Sequence, residues 1–479
     1  VTAPSTQPPA LTPARRNQLL LVLLAPLFMA LVAVSVLNVA LNAIGHSLGA
    51  SSEGLQWVLS GYALAFGLVL VPAGRLGDAT GRRRVLLIGV AVFTVGSLAS
   101  GLAPTVHALN AARIVQGIGA GLFNPQIVGI LQRHFRGQAR AKAFALLATT
   151  VAVATAVGPV IGGLLIQLLG EDSGWRWMFF MNVPIGLAAL ALGPRWVPDD
   201  HRRDRSRRLD MDPVGIVLLA LAVLAIMLPF LERGAGHLIW LCLPAGLLVL
   251  LGWAAWESRY ARRGGEPMVD LDIFASPAFR NGIIIVSVYF LGSTSIWIIV
   301  PLLLQAHLHH TAFEASLLGL PSSVGAMISS QVGGRYVLRL GRRLVIAGFI
   351  VVLVALGAVT LTAAVVEAGA APFWVLAIPL ALVGVSQGMI ISPNQTLTLG
   401  AVDSRYGGVA GGILQLGQRM GQAIGTALIP GILFSIVDTG GDWLHGFTMA
   451  MVAIMAMTVM ALGVSIVDRA REKAVGTLA

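Results

Sequence analysis

The chain has 479 residues, of which 56% are hydrophobic and only 11% charged, at a mean hydropathy of +0.84. Soluble domains carry about a quarter charged residues, so a soluble fold is excluded and a polytopic membrane protein is implied. The net charge of +11 is read as topology and contact with anionic lipid, not as nucleic-acid binding, and a single cysteine, Cys242, excludes disulfides and cysteine-built metal sites.

A helix crosses a bilayer with roughly 20 apolar residues, and the chain supplies fourteen such stretches in order. A polar, Pro-rich tail (1–18) precedes the first, 19–41, which is too long for a signal-peptide core, lacks a small-residue cleavage site and is expected to be retained. Spans at 55–73, 85–103, 108–132, 143–169 and 177–192 complete a six-helix bundle over 19–194. The charged segment 195–213 reads as a linker, 214–256 as two plain inserted helices (214–231 and 238–256), and 257–280 as a connector. A second bundle, 281–468, holds spans at 283–304, 315–334, 344–366, 373–399, 407–437 and 447–467 before a short tail, 469–479. Of the 32 Lys and Arg, 28 fall in the tails and alternate loops, which the positive-inside rule makes cytoplasmic, with both termini. High Ala, Gly and Arg content and an initial Val suggest a GC-rich bacterium and a GTG start, hence a bacterial inner membrane.

The halves repeat one another. "GRLGDATGRR" from 74 is echoed by "GRYVLRLGRR" from 334, each joining the second and third spans of its bundle, with Leu338 where the first copy has Asp78. Two parallel six-span repeats suit an alternating-access carrier. In the first copy, Gly74, Gly77 and Gly81 permit a tight turn, Arg75, Arg82 and Arg83 set topology, and the lone acid Asp78 is placed to meet a helix N-terminus or a nearby arginine.

These residues carry a family resemblance. "GRLGDATGRRR" resembles the loop motif of the major facilitator superfamily, "RIVQGIGAG" (113–121) its fourth-helix motif and "AVGPVIGG" (156–163) its fifth-helix antiporter motif. "LQWVLSGYAL" (55–64) and "WRWMFFMNVPIG" (175–186) are similar to the fourteen-span drug:proton antiporter branch. The resemblance implies an all-α major facilitator fold of two six-helix bundles plus two extra transmembrane helices. It implies export of small amphipathic drugs, antibiotics or natural products, driven by an ion gradient (H+) with no bound cofactor, and not an enzyme. It also implies that Gly74, Arg75, Asp78, Gly81, Arg82 and Arg83 form a cytoplasmic latch, with the partner of Asp78 near Tyr406. An importer or lipid flippase of the same fold is the alternative.

Arg113 and Arg419 lie inside spans, where a cation costs about 2.5 to 3.5 kcal/mol and is normally retained for function. The resemblance gives Arg113 a part in proton transfer or carboxylate pairing; snorkelling to the outer interface is the plain alternative. Arg419 and Gln415 share a helix face, read either as cavity-facing or as an interhelical hydrogen bond, beside a Gly417, Gly421, Gly425 packing stripe. Gly158, Pro159, Gly162 and Gly163 mark a helix able to bend or pack closely. Asn38, Tyr62, Gln126, Tyr289, Ser293, Gln387 and Asn394 sketch a substrate cavity, with Trp297 either stacking on substrate or filling the core. The first span departs from the branch, with Ala33 where relatives have Asp. Coupling would then fall to outer acids such as Glu53, Glu314 or Asp438, or be absent, and unpaired arginines favour anionic or neutral amphipaths. "HLHH" (307–310) has no second ligand cluster, so no metal is expected. The remaining expected partners are membrane lipid and no nucleic acid, with the chain a monomer.

Overall fold

A computed structural model describes residues 12–199, 212–231 and 236–476; the side chains of Asn38 and Glu53 lie outside the described set. The helices are α1 Pro13–Ser35, α2 Leu37–Leu48, α3 Ser52–Thr80, α4 Arg82–Gly101, α5 Val106–His134, α6 Gly137–Phe180, α7 Asn182–Trp196, α8 Pro213–Leu231 and α9 Cys242–Arg262. They continue with α10 Pro277–Ser293, α11 Ile296–Leu302, α12 Ala312–Leu317, α13 Gly319–Leu340, α14 Arg342–Glu367, α15 Ala377–Gly400, α16 Gly407–Val437 and α17 Trp443–Gly476. Among the described residues there is no strand.

Among the described residues, twelve helical stretches are long and apolar enough to cross a membrane. One of them, Gly137–Trp196, runs 60 residues and is broken at Gly170 (φ 78°), so it supplies two crossings. α13 supplies another: Ser322, Ser323, Ser329, Ser330 and Gln331 make it too polar to qualify by hydropathy, yet it is continuously helical. The crossings therefore number fourteen, as the hydrophobic runs imply. α1 and α2 form one crossing interrupted at Val36, and α10 and α11 another, interrupted at Thr294–Ser295.

Short polar residues start the helices where the apolar runs begin. Thr12 accepts from Arg15 N (3.4 Å), Ser51 from Gly54 N (3.2 Å) and Thr105 from Ala108 N (3.2 Å), each satisfying a donor the first turn leaves open. The helix of α7 runs through Arg195 and Trp196, two residues past the boundary read from composition, because Pro194 sits inside its last turn without breaking it.

A larger difference concerns the repeated motif. The segment 74–80, read above as a turn, is the last two turns of α3, and only Gly81 (φ 106°) leaves the helix. The echo behaves alike: α13 runs to Leu340 and turns at Gly341 (φ 55°). Gly74 and Gly77 serve close approach instead of a turn. A Cβ on Gly74 would stand 2.5 Å from Gly408 O, and one on Gly77 would overlap the Gln126 amide.

At the end of the molecule that carries the basic loops, here the basic face, the two halves are joined along α3, α5 and α6 on one side and α13, α15 and α16 on the other. At the opposite face, α2 packs on α1, α3 and α6 of its own half, and α12 on α11 and α13 of its own. The inserted pair, α8 and α9, packs on itself; α8 also touches α3 and α16, one helix from each half.

Candidate functional site

The junction at the basic face is built around Asp78. Its carboxylate accepts from Gly408 N (3.1 Å) and Val409 N (3.0 Å), the first free amides of α16, and from Arg82 Nε (2.8 Å) one helical turn along its own half. An anion at a helix N-terminus neutralises the open amides and the positive end of the helix dipole. Arg82 in turn donates to Gly129 O (2.7 Å) and Ser404 O (2.7 Å), so one ion pair reaches across the halves in both directions. The two side chains are only 4% and 6% exposed. The close approach depends on Gly74 and Gly408: a Cβ on Gly408 would lie 2.7 Å from both Asp78 Oδ1 and Gly74 O.

The other motif residues have separate tasks. Arg75 bonds Glu266 (2.9 Å) in the connector after the inserted pair, and Arg83 reaches Pro194 O (3.3 Å) and the Asp199 carboxylate at the end of α7. Asp270 of the same connector accepts from the Tyr406 hydroxyl (3.3 Å), immediately before α16. Sequence reasoning missed Gln132, which donates to Leu399 O (2.6 Å) and Val402 O (3.1 Å), and Gln138, which donates to Gly334 O (2.8 Å) and Arg335 O (3.0 Å). Both glutamines cross the halves. Their only signal in the sequence is a neutral amide beside a basic loop, which points to no particular partner.

The echoed motif solves its missing acid differently. Arg342, equivalent to Arg82, pairs with Asp468 of α17 (2.5 Å) and with the Asn394 amide, and Asn281 donates to Asp468 (2.7 Å). Asn394 donates to Gly282 O (2.9 Å). This cluster, Asn394 included, is confined to the second half. Gln126 is fully buried and donates to Ala73 O (2.7 Å) and Leu122 O (3.1 Å) between α3 and α5. Tyr289 is held edge-to-face against Phe290 and Phe349 inside the second bundle, Ser293 is buried beside it, and Trp297 packs at van der Waals distance (3.8 Å) from where a Gly319 Cβ would stand, at the start of α13. Their apolar neighbours make them core residues. Gln387 and Gln415 are half-buried.

Arg113 neither snorkels nor meets a carboxylate. It is 1% exposed, donates to Val58 O (3.0 Å) and to the Gln116 amide oxygen, and places its guanidinium 4.2 Å from the centre of the Tyr62 ring. Gln116 is oriented by a bond to Ser97 Oγ (2.7 Å). Tyr62 lies parallel to Phe66 one turn along α3, ring centres 6.2 Å apart. From the second half, the Arg419 guanidinium sits 4.8 Å from the Phe66 ring centre, with Gln422 Oε1 its hydrogen-bond acceptor (3.2 Å). Arg113, Tyr62, Phe66 and Arg419 thus form one column across the halves. Neither arginine pairs with a carboxylate among the described residues. The neighbouring glycines pack as their spacing requires, Gly421 and Gly425 against the backbone of Ser287 and Leu291 on α10.

α6 packs on the first crossing at its interruption: Gly158 faces Ser35, whose hydroxyl donates to Ala154 O (3.0 Å), and Gly162 faces Val36. Pro159 lies between them, and Gly163 faces open space. Ala33 is fully buried. Two outer acids lie at helix ends. Glu314 accepts from Thr311 N (2.9 Å), which holds its carboxyl below the usual range and keeps it ionised, and Asp438 is exposed at the end of α16.

Similarity to known proteins agrees with this architecture. The chain is 31% identical over 434 residues (89% of this chain, 74% of the relative) to the probable actinorhodin transporter of Streptomyces coelicolor. It is 31% identical over 418 residues (84% and 75%) to the tetracenomycin C resistance and export protein of Streptomyces glaucescens. Among solved structures it superposes on the human organic anion transporter MFSD10 with a TM-score of 0.67 at 14% identity, covering 96% of this chain and all of that one, and on the proton:xylose symporter XylE with a TM-score of 0.66 at 14% identity, covering 94% of each. The family model described as the Major Facilitator Superfamily matches residues 23–261 and 282–477, breaking only at the connector, and the chain belongs to that superfamily.

Proposed function

We propose that this chain is a secondary active exporter of small amphipathic molecules of the drug or antibiotic type, working by alternating access in a bacterial inner membrane with both termini cytoplasmic. The observation that carries the reading is the junction at the basic face. Asp78 caps α16 across the halves with two bonds, while at the opposite face α2 packs on α1, α3 and α6 and α12 on α11 and α13, helices of their own halves. With the basic face inside, this is a carrier closed to the cytoplasm, and Gly74, Asp78 and Arg82 with Gly408 and Val409 are its gate. The named resistance and export roles of its relatives support efflux as the direction. Two guanidiniums without carboxylate partners favour anionic or neutral substrates over cationic ones. Lipid surrounds a monomeric carrier.

Coupling to proton influx is the first mechanism to test. A second reading, a carrier with no proton coupling, is favoured by one observation: the fully buried Ala33 leaves the first crossing without an acid. Purified protein in liposomes, with and without an imposed pH gradient, separates the two. Substrate-dependent proton flux supports antiport, and gradient-independent counterflow supports the uncoupled carrier. Failure of counterflow with every amphipath tried would overturn the transporter reading itself.

A further inference from the structure

The inserted pair holds two buried acids at the basic face that the gate does not use. Asp212, just before α8, is 0% exposed, and its carboxylate accepts from Gly215 N (3.0 Å) and the Trp256 indole (2.9 Å). Glu257, just past the apolar run of α9, is 1% exposed. The point where a Gly215 Cβ would stand lies 2.3 Å from Asp212 Oδ2 and 2.8 Å from Glu257 Oε1, so the two carboxyls face each other across the space a methyl group would fill. Neither Glu257 oxygen receives a hydrogen bond, and the buried Trp253 indole N–H that faces it is equally without a partner. Among the described residues no cation pairs with Glu257. Of the charged and titratable groups around it, Arg75 is bonded to Glu266, the Tyr406 hydroxyl to Asp270, Tyr260 stacks on Trp256 (ring centres 5.8 Å apart), and Asp272 is exposed. The connector covers the pair. Met268 and Val269 are 1% and 0% exposed, and Val269 N faces Glu257. On either side of them, Glu266 holds Arg75 of α3 and Asp270 holds Tyr406, next to α16. The connector is thus a strap across the gate edge, tied to one half at each end and seated in the middle on two acids.

We propose that Glu257 and Asp212 hold one proton between them, and that this proton seats the connector across the gate. The inference rests on the gate of the exporter reading, and on neither the substrate nor the direction of transport. Two ionised carboxylates side by side and away from water repel; one proton between them turns the repulsion into an O–H···O bond, donated by Glu257 to Asp212. When that proton leaves for water at the basic face, two adjacent buried charges need solvent, and Met268 and Val269 must lift to admit it. Arg75 and Tyr406 then lose the segment that ties them together. Burial, with the adjoining Asp212 carboxylate, pushes the Glu257 carboxyl in the connector up to about 7. The seated state therefore binds the proton more tightly than the lifted one. Seating is favoured as pH falls through about 7, by about tenfold per unit until the ordinary carboxyl value of about 4.3 is reached. A carrier driven by inward protons is thereby held shut while its inner side is acid.

The test is alkylation of Met268→Cys, in the full chain with Cys242→Ser, by an impermeant maleimide in inside-out vesicles at equal pH on both sides. The rate at each pH is divided by that of Arg263→Cys, an exposed site on the same connector. The quotient should rise about tenfold per unit from about pH 5 to about pH 7 and level off above. Glu257→Gln, which keeps the shape and donates to Asp212 as the protonated acid does, should hold the quotient at its acid value throughout. Asp212→Asn, which can still cap α8, should bring the levelling-off to a lower pH. A quotient that is flat with Glu257 intact overturns the proposal, and so does one that still rises with pH in Glu257→Gln. A Glu257→Gln quotient fixed at the alkaline value, which a merely structural acid would give, overturns it as well. Substrate enters none of these measurements, so counterflow of amphipaths, measured separately, tells failure of this site from failure of the exporter reading.

Discussion

Replacing Asp78 with Asn preserves the shape of the side chain and removes its charge. In the closed state the carboxylate takes two α16 amides and the Arg82 guanidinium. Asn retains one acceptor oxygen and turns an NH2 group toward the other donors. The loss comprises one charge-assisted bond and the anion at the helix N-terminus, together about 2 to 3 kcal/mol. Only the bonds to α16 depend on the halves being closed, the Arg82 bond lying within one half, so the share of the loss that falls on one side of the equilibrium is that of the anion at the helix N-terminus, up to about 2 kcal/mol, a shift of up to roughly 30-fold toward the state open at the basic face. Val128, 1% exposed and packed where a Gly411 Cβ would stand, lies just behind the gate. In a Cys242→Ser background, Val128→Cys reports opening through its alkylation rate by an impermeant maleimide in inside-out vesicles. The rate should rise by that factor in Asp78→Asn, with the melting temperature checked because Arg82 keeps only its carbonyl partners Gly129, Ser404 and Arg405. An unchanged rate in a folded variant would refute the gate.

Gly408→Ala should open the same seam without touching charge, because its Cβ would press on Asp78 and on Gly74 O, and alkylation at position 128 should rise again. Asp468→Ala should act oppositely. It strands buried Arg342, costs about 3 to 5 kcal/mol of stability in a thermal or denaturant assay, and leaves the alkylation rate unchanged because the cluster lies within one half. Gly425→Ala should lower the melting temperature by pushing α16 off Leu291 O on α10, an overpacking loss of about 1 to 3 kcal/mol. At α12, the depressed carboxyl of Glu314 means the cap is fully present above the ordinary carboxylate range near 4.3 and fades as pH falls through its lowered value. Amide exchange at α12 should therefore stay slow to below that range, and Thr311→Ala should move its onset upward.

Much of the fold was legible because membrane insertion writes itself in long apolar runs and basic loops. The fourteen crossings, including serine-rich α13, follow from segment length and from the repeat. The meeting of Asp78 with the start of α16 near Tyr406 was expected from the family resemblance, not from local pattern, since a lone acid among arginines already has donors beside it. The conformation of 74–80 was not. Glycine signals either a turn or a close approach, and only the Gly408 and Gln126 neighbours, far away in sequence, decide for the latter. Likewise Arg342 has its acid on the last helix instead of four residues earlier, a pairing that no local pattern encodes. Gln126 and Asn394, read from sequence as cavity residues, bond to backbone within their own halves, and Tyr289 packs edge-to-face inside its bundle, because a polar residue in an apolar helix does not announce locally whether it faces a neighbouring backbone or a water-filled path. The aromatic column was missed because it joins residues on three helices whose register only the packing reveals.

The two copies of the repeated motif close the seam at the basic face with unequal chemistry. One edge, α3 against α16, is held by an ion pair at a single level. The other, α6 against α13, is held by neutral bonds spaced along the helices, from Gln138 with Gly334 O to Thr149 with Ser330 and Gln331. The first releases all at once, like a clasp; the second yields bond by bond, like a hinge. Opening is therefore expected to be uneven: at the basic face the edge beside the inserted helices, whose connector holds Arg75 and Tyr406 there, should part abruptly once its ion pair and connector bonds let go, and the opposite edge gradually.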